Sequence, residues 1–538
     1  MNNCTDEPFY TADLAYACLT SIPFDSTRSV YIAKQMRLFT QIYSAQTFFH
    51  NPPTPELRIK PVDLNGTFDE IEKKASSSDG YPDDYSFQTD LMKLYQSFHD
   101  GHVAYLPKCP VTFVFYHQYP LVEIYNGQDL PSIFYADVTT GNEVEEVVEV
   151  DGEDVHTHLE KLVLELPDLL WVDPDARYNT LLLSKHPVNG LLYGAFAQRS
   201  FYDKDTLTIK TTSGKEIPVQ WQAFMAERPT FKDSTGFEES CLDPDFKGTL
   251  RARDDSSKFL PRIPRSEEIS REIHHYHRRQ LGERASQNEP AIPWPSFDLA
   301  MTGFQQGIHI LDSETAVWGM YAFEESNDPT GANATAFFKE WASFLDRGVS
   351  MLQKKGIKRI LIDVSGNGGG YVALGIVTIR KFFPESQPYY GFDMRRSPAL
   401  DLLIEFSADS DSSHLSLNMT KDINNNDFTS IQEFLGPVHK YGDYFTEIGR
   451  WDVSDTISSS GLSVPTTGDP PFSNDNIVLV CPAPIPRLSL AKTVCRSRMV
   501  DVAPLAPFFL KLYKVWARRP LRTMEFQIRP NVKKRCRP

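Results

Sequence analysis

Residues 360–372 read Ile360-Leu-Ile-Asp-Val-Ser-Gly-Asn-Gly-Gly-Gly370-Tyr-Val372, passing within a few positions from an apolar run to a glycine cluster and on into a helical pattern. That is a buried strand feeding a loop whose backbone can approach a ligand closely. Upstream, Thr335 to Lys355 places Phe337, Phe338, Trp341, Phe344, Leu345, Val349 and Leu352 at helical spacing, and Gly356 stands where a helix C-terminus favours positive φ. Downstream, Val372, Leu374, Ile376, Val377, Ile379, Phe382 and Phe383 predict a second helix, which Pro384 ends. The unit is helix, strand, glycine loop, helix, and the fold class is α/β.

Four of the five residues from Gly366 to Gly370 are glycine. Such a loop can leave N–H groups pointing into an open cleft, where they would hold either a nucleotide phosphate or the oxyanion of an acyl-transfer intermediate. A tight turn without chemistry would use the same glycines. Spacing weighs against phosphate. A dinucleotide fold wants G-x-G-x-x-G with an acidic residue about 20 positions further on at the end of a second strand, whereas the region from Pro384 to Tyr390 reads as a loop. No G-x-x-x-x-G-K-S/T is present either.

The 538 residues suffice for two or three domains. No run of about 18 apolar residues predicts a membrane span, and the start Met1-Asn-Asn-Cys-Thr-Asp-Glu lacks the basic and apolar regions of a signal peptide. Net charge is −16, but residues 481–538 hold 14 Lys+Arg against two acids, +12, which leaves 41 − 69 = −28 on residues 1–480. A body this acidic repels nucleic acid, and only the basic tail could attract it. The seven cysteines show neither a C-x-x-C pair nor zinc spacing. No metal or organic cofactor is implied.

From Thr11 to His99 the pattern is helical, with a cap at Asp25-Ser26, a break at Pro52, Pro53 and Pro55, and a helix from Phe87 to Phe98. That helix is expected to stop at Asp100-Gly101-His102-Val103, so that the His102 ring projects from a turn; a lone histidine is more often structural than catalytic. Val111 to Met225 turns to strands: Val111–Tyr116, Leu121–Tyr125, Ser132–Ala136, Val144–Val150 and a hairpin from Thr206 to Trp221. Val147-Val-Glu-Val-Asp-Gly-Glu-Asp-Val155 reads as strand, Asp-Gly turn and helix start, the local pattern of a small peptide-docking module and of many other Asp-Gly turns. Residues 227–298 read as a charged, proline-rich, partly disordered insertion, and their His274-His275-x-His277 lacks a carboxylate or Cys at ligand spacing. Strands resume at Gly307–Leu311 and Ala316–Phe323, Asp401 to Asp427 reads as loop, and Ile477 to Val480 is a last buried strand.

With Asp100-Gly101-His102, Val147 to Val155, Leu361 to Gly370 and Asn476-Ile-Val-Leu-Val480 in this order, the chain resembles the tail-specific (C-terminal-processing) serine peptidases, and among them fungal members related to chlamydial protease-like activity factor. The resemblance implies a helical N-terminal region (1–110), a PDZ-like module (111–226), the insertion (227–298), a crotonase-like α/β peptidase core (299–480) and a basic tail (481–538) outside the likeness. It implies that His102 is the general base, that the loop Gly368, Gly369, Gly370 supplies oxyanion donors, and that peptides or proteins are the substrates, with neither nucleic acid nor membrane as partner. It implies secretion, with a cytoplasmic location as the alternative given the start of the chain.

The tail departs from the pattern. A nucleophilic Ser is expected in a small-residue turn directly after Val480, where Cys481-Pro-Ala-Pro-Ile-Pro-Arg487 stands, and three alternating prolines bar a tight turn into a helix. Ser489 lies near the expected distance without that context, so the nucleophile is unassigned. A frameshift or altered splice past Val480 would produce such a change, and a chain lacking a nucleophile is expected not to cleave. A non-catalytic peptide-binding protein using the same module and cleft is the alternative.

Overall fold

The computed structural model describes residues 9–107, 109–124, 131–138, 142–186, 190–225, 237, 298–323, 334–365, 367, 369–386, 388, 390–407, 417, 420–451 and 469–480. They form two compact units. One is drawn from Met1–Phe39 and Phe49–Pro293, the other from Thr40–Phe48 and Trp294–Pro538. The expected tail 481–538 and nearly all of the expected insertion, His274, His275 and His277 included, lie outside the described residues.

Three helices of the first unit have their starts written in the sequence as aspartates. Asp25, Asp63 and Asp83 accept the N–H groups of Arg28, Gly66 and Ser86 at 3.0, 3.0 and 2.7 Å, capping the helices Ser26–Thr40, Leu64–Ser76 and Asp84–Gln96. The helix Leu64–Ser76 was not separated by sequence pattern, although Phe68, Ile71 and Ala75 line its buried face.

The helix expected to run to Phe98 and stop at Gly101 ends at Gln96, and the left-handed residue after it is His99, φ 44°. The His99 ring donates through Nδ1 to the carbonyl of Leu169 at 2.7 Å, a tertiary bond that offsets the cost of positive φ in a residue with a Cβ.

The β-rich part of this unit holds a sheet ordered Glu216–Gln220, Thr206–Thr211, Glu143–Val150, Ser132–Ala136, Leu121–Ile124, all antiparallel. Asp151 and Gly152 both take positive φ, 52° and 77°, as the twist of a tight hairpin turn requires, and Asp154 then caps the helix Val155–Glu165 through Thr157 N–H at 3.0 Å. A second sheet pairs Phe9–Thr11, Gln222–Met225, Phe113–Tyr116 and Gln198–Arg199. Residues 110–112 form a 3-10 turn instead of the start of a strand. The helix Pro174–Leu181, inside a stretch read as strands, follows Asp173, which accepts from Asp175 and Ala176 N–H at 2.8 and 3.0 Å; an Asp-Pro start was the legible signal.

In the second unit the strands Asp298–Gly303, Gln306–Ile310, Thr315–Met320, Arg359–Asp363 and Ile477–Val480 form one sheet in that order, the first three antiparallel and the last two added in parallel. Helices Ala334–Lys354 and Val372–Phe382 bury Trp341, Phe344, Leu352, Leu374 and Ile376 together with Trp318 and Ile360 of the sheet. Gly356 has φ 77°. Residues 401–407, expected as loop, are helical within Pro398–Ser407, because Leu400 and Ile404 pack on Phe428, Phe434 and Leu435. No helix among the described residues is long and apolar enough to cross a membrane.

Candidate active site

Register decides what meets at the end of the parallel strands. Gly319 aligns with Asp363, and Asp363 with Val480, so the chain leaves all three strands at one edge. The Val364 N–H donates to the Val480 carbonyl at 2.9 Å, which sets the glycine loop beside the point where the chain continues past Val480. In open α/β sheets ligands bind at this carboxyl edge.

The loop is stapled by a side chain. Asn367, 3% exposed, donates from Nδ2 to the Met320 carbonyl at 2.7 Å and accepts the Gly369 N–H on Oδ1 at 2.7 Å. The Gly369 carbonyl accepts Phe323 N–H at 2.6 Å, and the Phe323 carbonyl accepts Tyr371 N–H at 2.8 Å. Gly369 and Gly370 have φ of 98° and 128°, conformations that favour glycine.

Two of the three expected oxyanion donors therefore differ. Gly369 N–H is already spent within the loop, whereas Gly370 is exposed and its N–H has no acceptor among the described residues. Gly368 lies outside the described residues, as does Ser489. Beneath the loop, Asp363 accepts Ser365 N–H at 2.9 Å, and burial pushes its carboxyl above the usual carboxylate range.

His102 belongs to the first unit. It stands on a turn in which Asp100 Oδ1 accepts the His102 N–H at 3.1 Å, and its ring Nδ1 lies 3.6 Å from the same oxygen. The Asp100 side chain is 2% exposed and that of His102 is 49% exposed. The buried Asp100 side chain thus lies on the Nδ1 side of the ring, at an ion-pair separation longer than a hydrogen bond. Sequence reasoning passed over Asp100 as a neighbour of the ring, although it stands two residues before the histidine in the quoted D-G-H. Asn367 was passed over likewise.

Residues 114–230 match the family model described as a CPAF-like PDZ domain. The chain resembles the tail-specific peptidases. It is 26% identical over 381 residues to peptidase S41 family protein phomP1' of Diaporthe leptostromiformis, an overlap covering 66% of this chain and 52% of that protein. The figures for phomP1 of the same organism are the same. The chain thus spans about half the length of the curated relatives it matches. Among solved structures it is similar to mature CPAF complexed with lactacystin (TM-score 0.39, 14% identity, 76% of this chain and 70% of that one). It is also similar to the photosystem II D1 C-terminal processing protease (TM-score 0.20, 9% identity, 81% and 75%). The tail-specific likeness thus includes a PDZ-like domain within an otherwise mixed helix and sheet chain.

Proposed function

We propose that this chain is a serine-type peptidase of the tail-specific class, with a helical N-terminal region (1–110), a PDZ-like module that docks peptide (111–226), an insertion (227–298) and a crotonase-like core (299–480). The observation that carries the proposal is the buried Asp100 beside the half-exposed His102, on a turn just ahead of a CPAF-like PDZ domain.

In the proposed reaction a serine Oγ from beyond Val480 bonds to the scissile carbonyl carbon as its proton passes to His102 Nε2, and the carbonyl electron pair moves to oxygen. Asp100 holds the ring by its Nδ1 side and stabilises the imidazolium. The Gly370 N–H donates to the oxyanion. Collapse breaks the C–N bond, and the His102 proton goes to the leaving amine. Water then loses a proton to the same ring as its oxygen bonds to the acyl carbon, and the ester C–O bond breaks as the ring returns that proton to the serine oxygen.

Disulfide-bonded Cys18 and Cys109 support an oxidising compartment, hence a secreted protein. The prolines 482, 484 and 486 directly after the last strand favour a second reading, a non-catalytic peptide binder.

A fluorophosphonate probe, which labels only an activated serine, separates them. Labelling of the 538-residue chain that His102→Ala reduces by several orders of magnitude supports the peptidase, and its loss in Ser489→Ala would assign the nucleophile. Absence of labelling together with peptide binding by the intact chain would leave the second reading standing.

A further inference from the structure

The turn that presents His102 has little regular structure of its own. After the helix end its backbone bonds are local ones, among them Phe98 N–H to the Tyr95 carbonyl at 3.3 Å and, both at 2.9 Å, His99 N–H to Gln96 and Val103 N–H to the Asp100 carbonyl. A half-exposed ring on such a segment would sample many orientations unless side chains fixed the backbone at either end.

Both ends are fixed. At the first, His99 takes φ 44° and its ring donates from Nδ1 to the Leu169 carbonyl at 2.7 Å. Leu169 is fully buried and lies within the span that matches the CPAF-like PDZ domain. Since a carbonyl only accepts, the ring is the Nδ1–H tautomer, and burial, more than any neighbour, holds its imidazole down to about 4, so it stays neutral. Beside it Arg177, wholly buried, donates to the carbonyls of Leu57 and Arg58 at 2.8 and 3.3 Å.

At the other end Tyr105 Oη donates to Gln88 Oε1 at 2.5 Å. The Gln88 Nε2 reaches both oxygens of buried Asp84 at 3.3 and 3.2 Å, and Arg28 Nη2 closes the chain on Asp84 at 2.6 Å. These partners stand on the helices Ser26–Thr40 and Asp84–Gln96.

We propose that His99 and Tyr105 are positioning residues that clamp the Asp100–His102 turn between the PDZ-like module and the N-terminal helices, so that His102 is presented in one orientation. The proposal rests on the peptidase reading for its purpose, but its geometry is testable without turnover. Catalytic groups must be held to within about 0.5 Å, and that precision comes from supporting hydrogen bonds on rigid elements. The clamp supplies them from both sides.

Four variants of the full chain isolate the terms. Tyr105→Phe removes only the hydroxyl. His99→Gly keeps the left-handed backbone but removes the ring donor; His99→Asn keeps tolerance of that backbone and an N–H donor. His102→Gln assigns the His102 ring signal in protein labelled with ¹³C-histidine. The clamp predicts that Tyr105→Phe and His99→Gly each move or broaden the His102 ring signal and raise amide exchange at residues 100–103 about tenfold or more, with the thermal transition of the unit little changed. It also predicts that His99→Asn restores the signal toward that of the parent.

An unaltered ring signal and unaltered exchange in both Tyr105→Phe and His99→Gly overturn the positioning role whatever the enzyme does. A parent chain that the fluorophosphonate probe never labels, with the clamp signature present in the variants, counts against the peptidase reading alone.

Discussion

Replacing Asn367 by alanine tests the glycine loop most directly. Its side chain ties the loop both to the end of the strand Thr315–Met320 and to its own glycines, through the Met320 carbonyl and the Gly369 N–H, each at 2.7 Å. Asn367, Met320 and Gly369 are all buried, so alanine orphans one donor and one acceptor away from bulk water. Leaving a buried backbone group unsatisfied costs about 1–3 kcal/mol. Because Gly370 next door is exposed and can admit water, we expect the lower part of the summed range, about 2–4 kcal/mol. At roughly 2–4 °C per kcal/mol for a unit of this size, the second unit should melt about 4–16 °C earlier. With two compact units in the chain, a single melting curve need not report either one. The assay is therefore amide exchange followed with temperature in Thr315–Met320 and Arg359–Asp363. Asn367→Asp should keep the Gly369 contact and lose the Met320 donor, and so fall below the parent as well. An Asn367→Ala chain within about 0.5 kcal/mol of the parent would refute the stapled loop, since changes that small are ordinary for surface positions.

Gly348→Ala should destabilise the second unit by about 1–2 kcal/mol. The added Cβ gains about 1 kcal/mol of helix propensity, but it falls 2.4 Å from Trp318 Cη2 and 2.8 Å from Ile308 Cδ1, both side chains fully buried, and overpacking of that kind outweighs the gain. Chemical denaturation checks it, and a stabilised variant would mean that helix Ala334–Lys354 does not pack on Trp318. The first unit should lose stability as pH falls from about 6.5 to about 4. Burial holds His99 and His117 down to about 4 and about 3, so the unfolded chain takes up protons near 6.5 that the folded one refuses. Stability is whole above that value and declines below it, by about 3 kcal/mol from His99 alone. Asp84 and Asp168, whose carboxyls burial pushes up, oppose the loss at the acid end. Urea midpoints at pH 7 and 4.5 measure the slope, which His99→Asn should flatten; equal midpoints in the parent would contradict the buried neutral rings.

Elements whose existence depends on their own pattern were legible in the chain. The run from Ala334 to Phe382 was readable as helix, strand, glycine loop and helix because apolar spacing records which face of an element is buried, and that face is written locally. Ser132–Ala136 and Ile477–Val480 were readable for the same reason. Positive φ at Gly356, Gly369 and Gly370 follows from residue type.

What tertiary structure alone decided are the pairings. Register sets Gly319, Asp363 and Val480 at one edge, and nothing within any of the three strands specifies its neighbour. The Gly369 N–H is taken by Asn367 and so unequal to that of Gly370, a difference invisible in a string of glycines. The left-handed residue of the histidine turn is His99 instead of Gly101 because its partner, the Leu169 carbonyl, lies 70 positions along the chain. Propensity is summed over neighbours in sequence, whereas a hydrogen bond is made with whatever the fold delivers, and the proposed chemistry of this protein depends on the second.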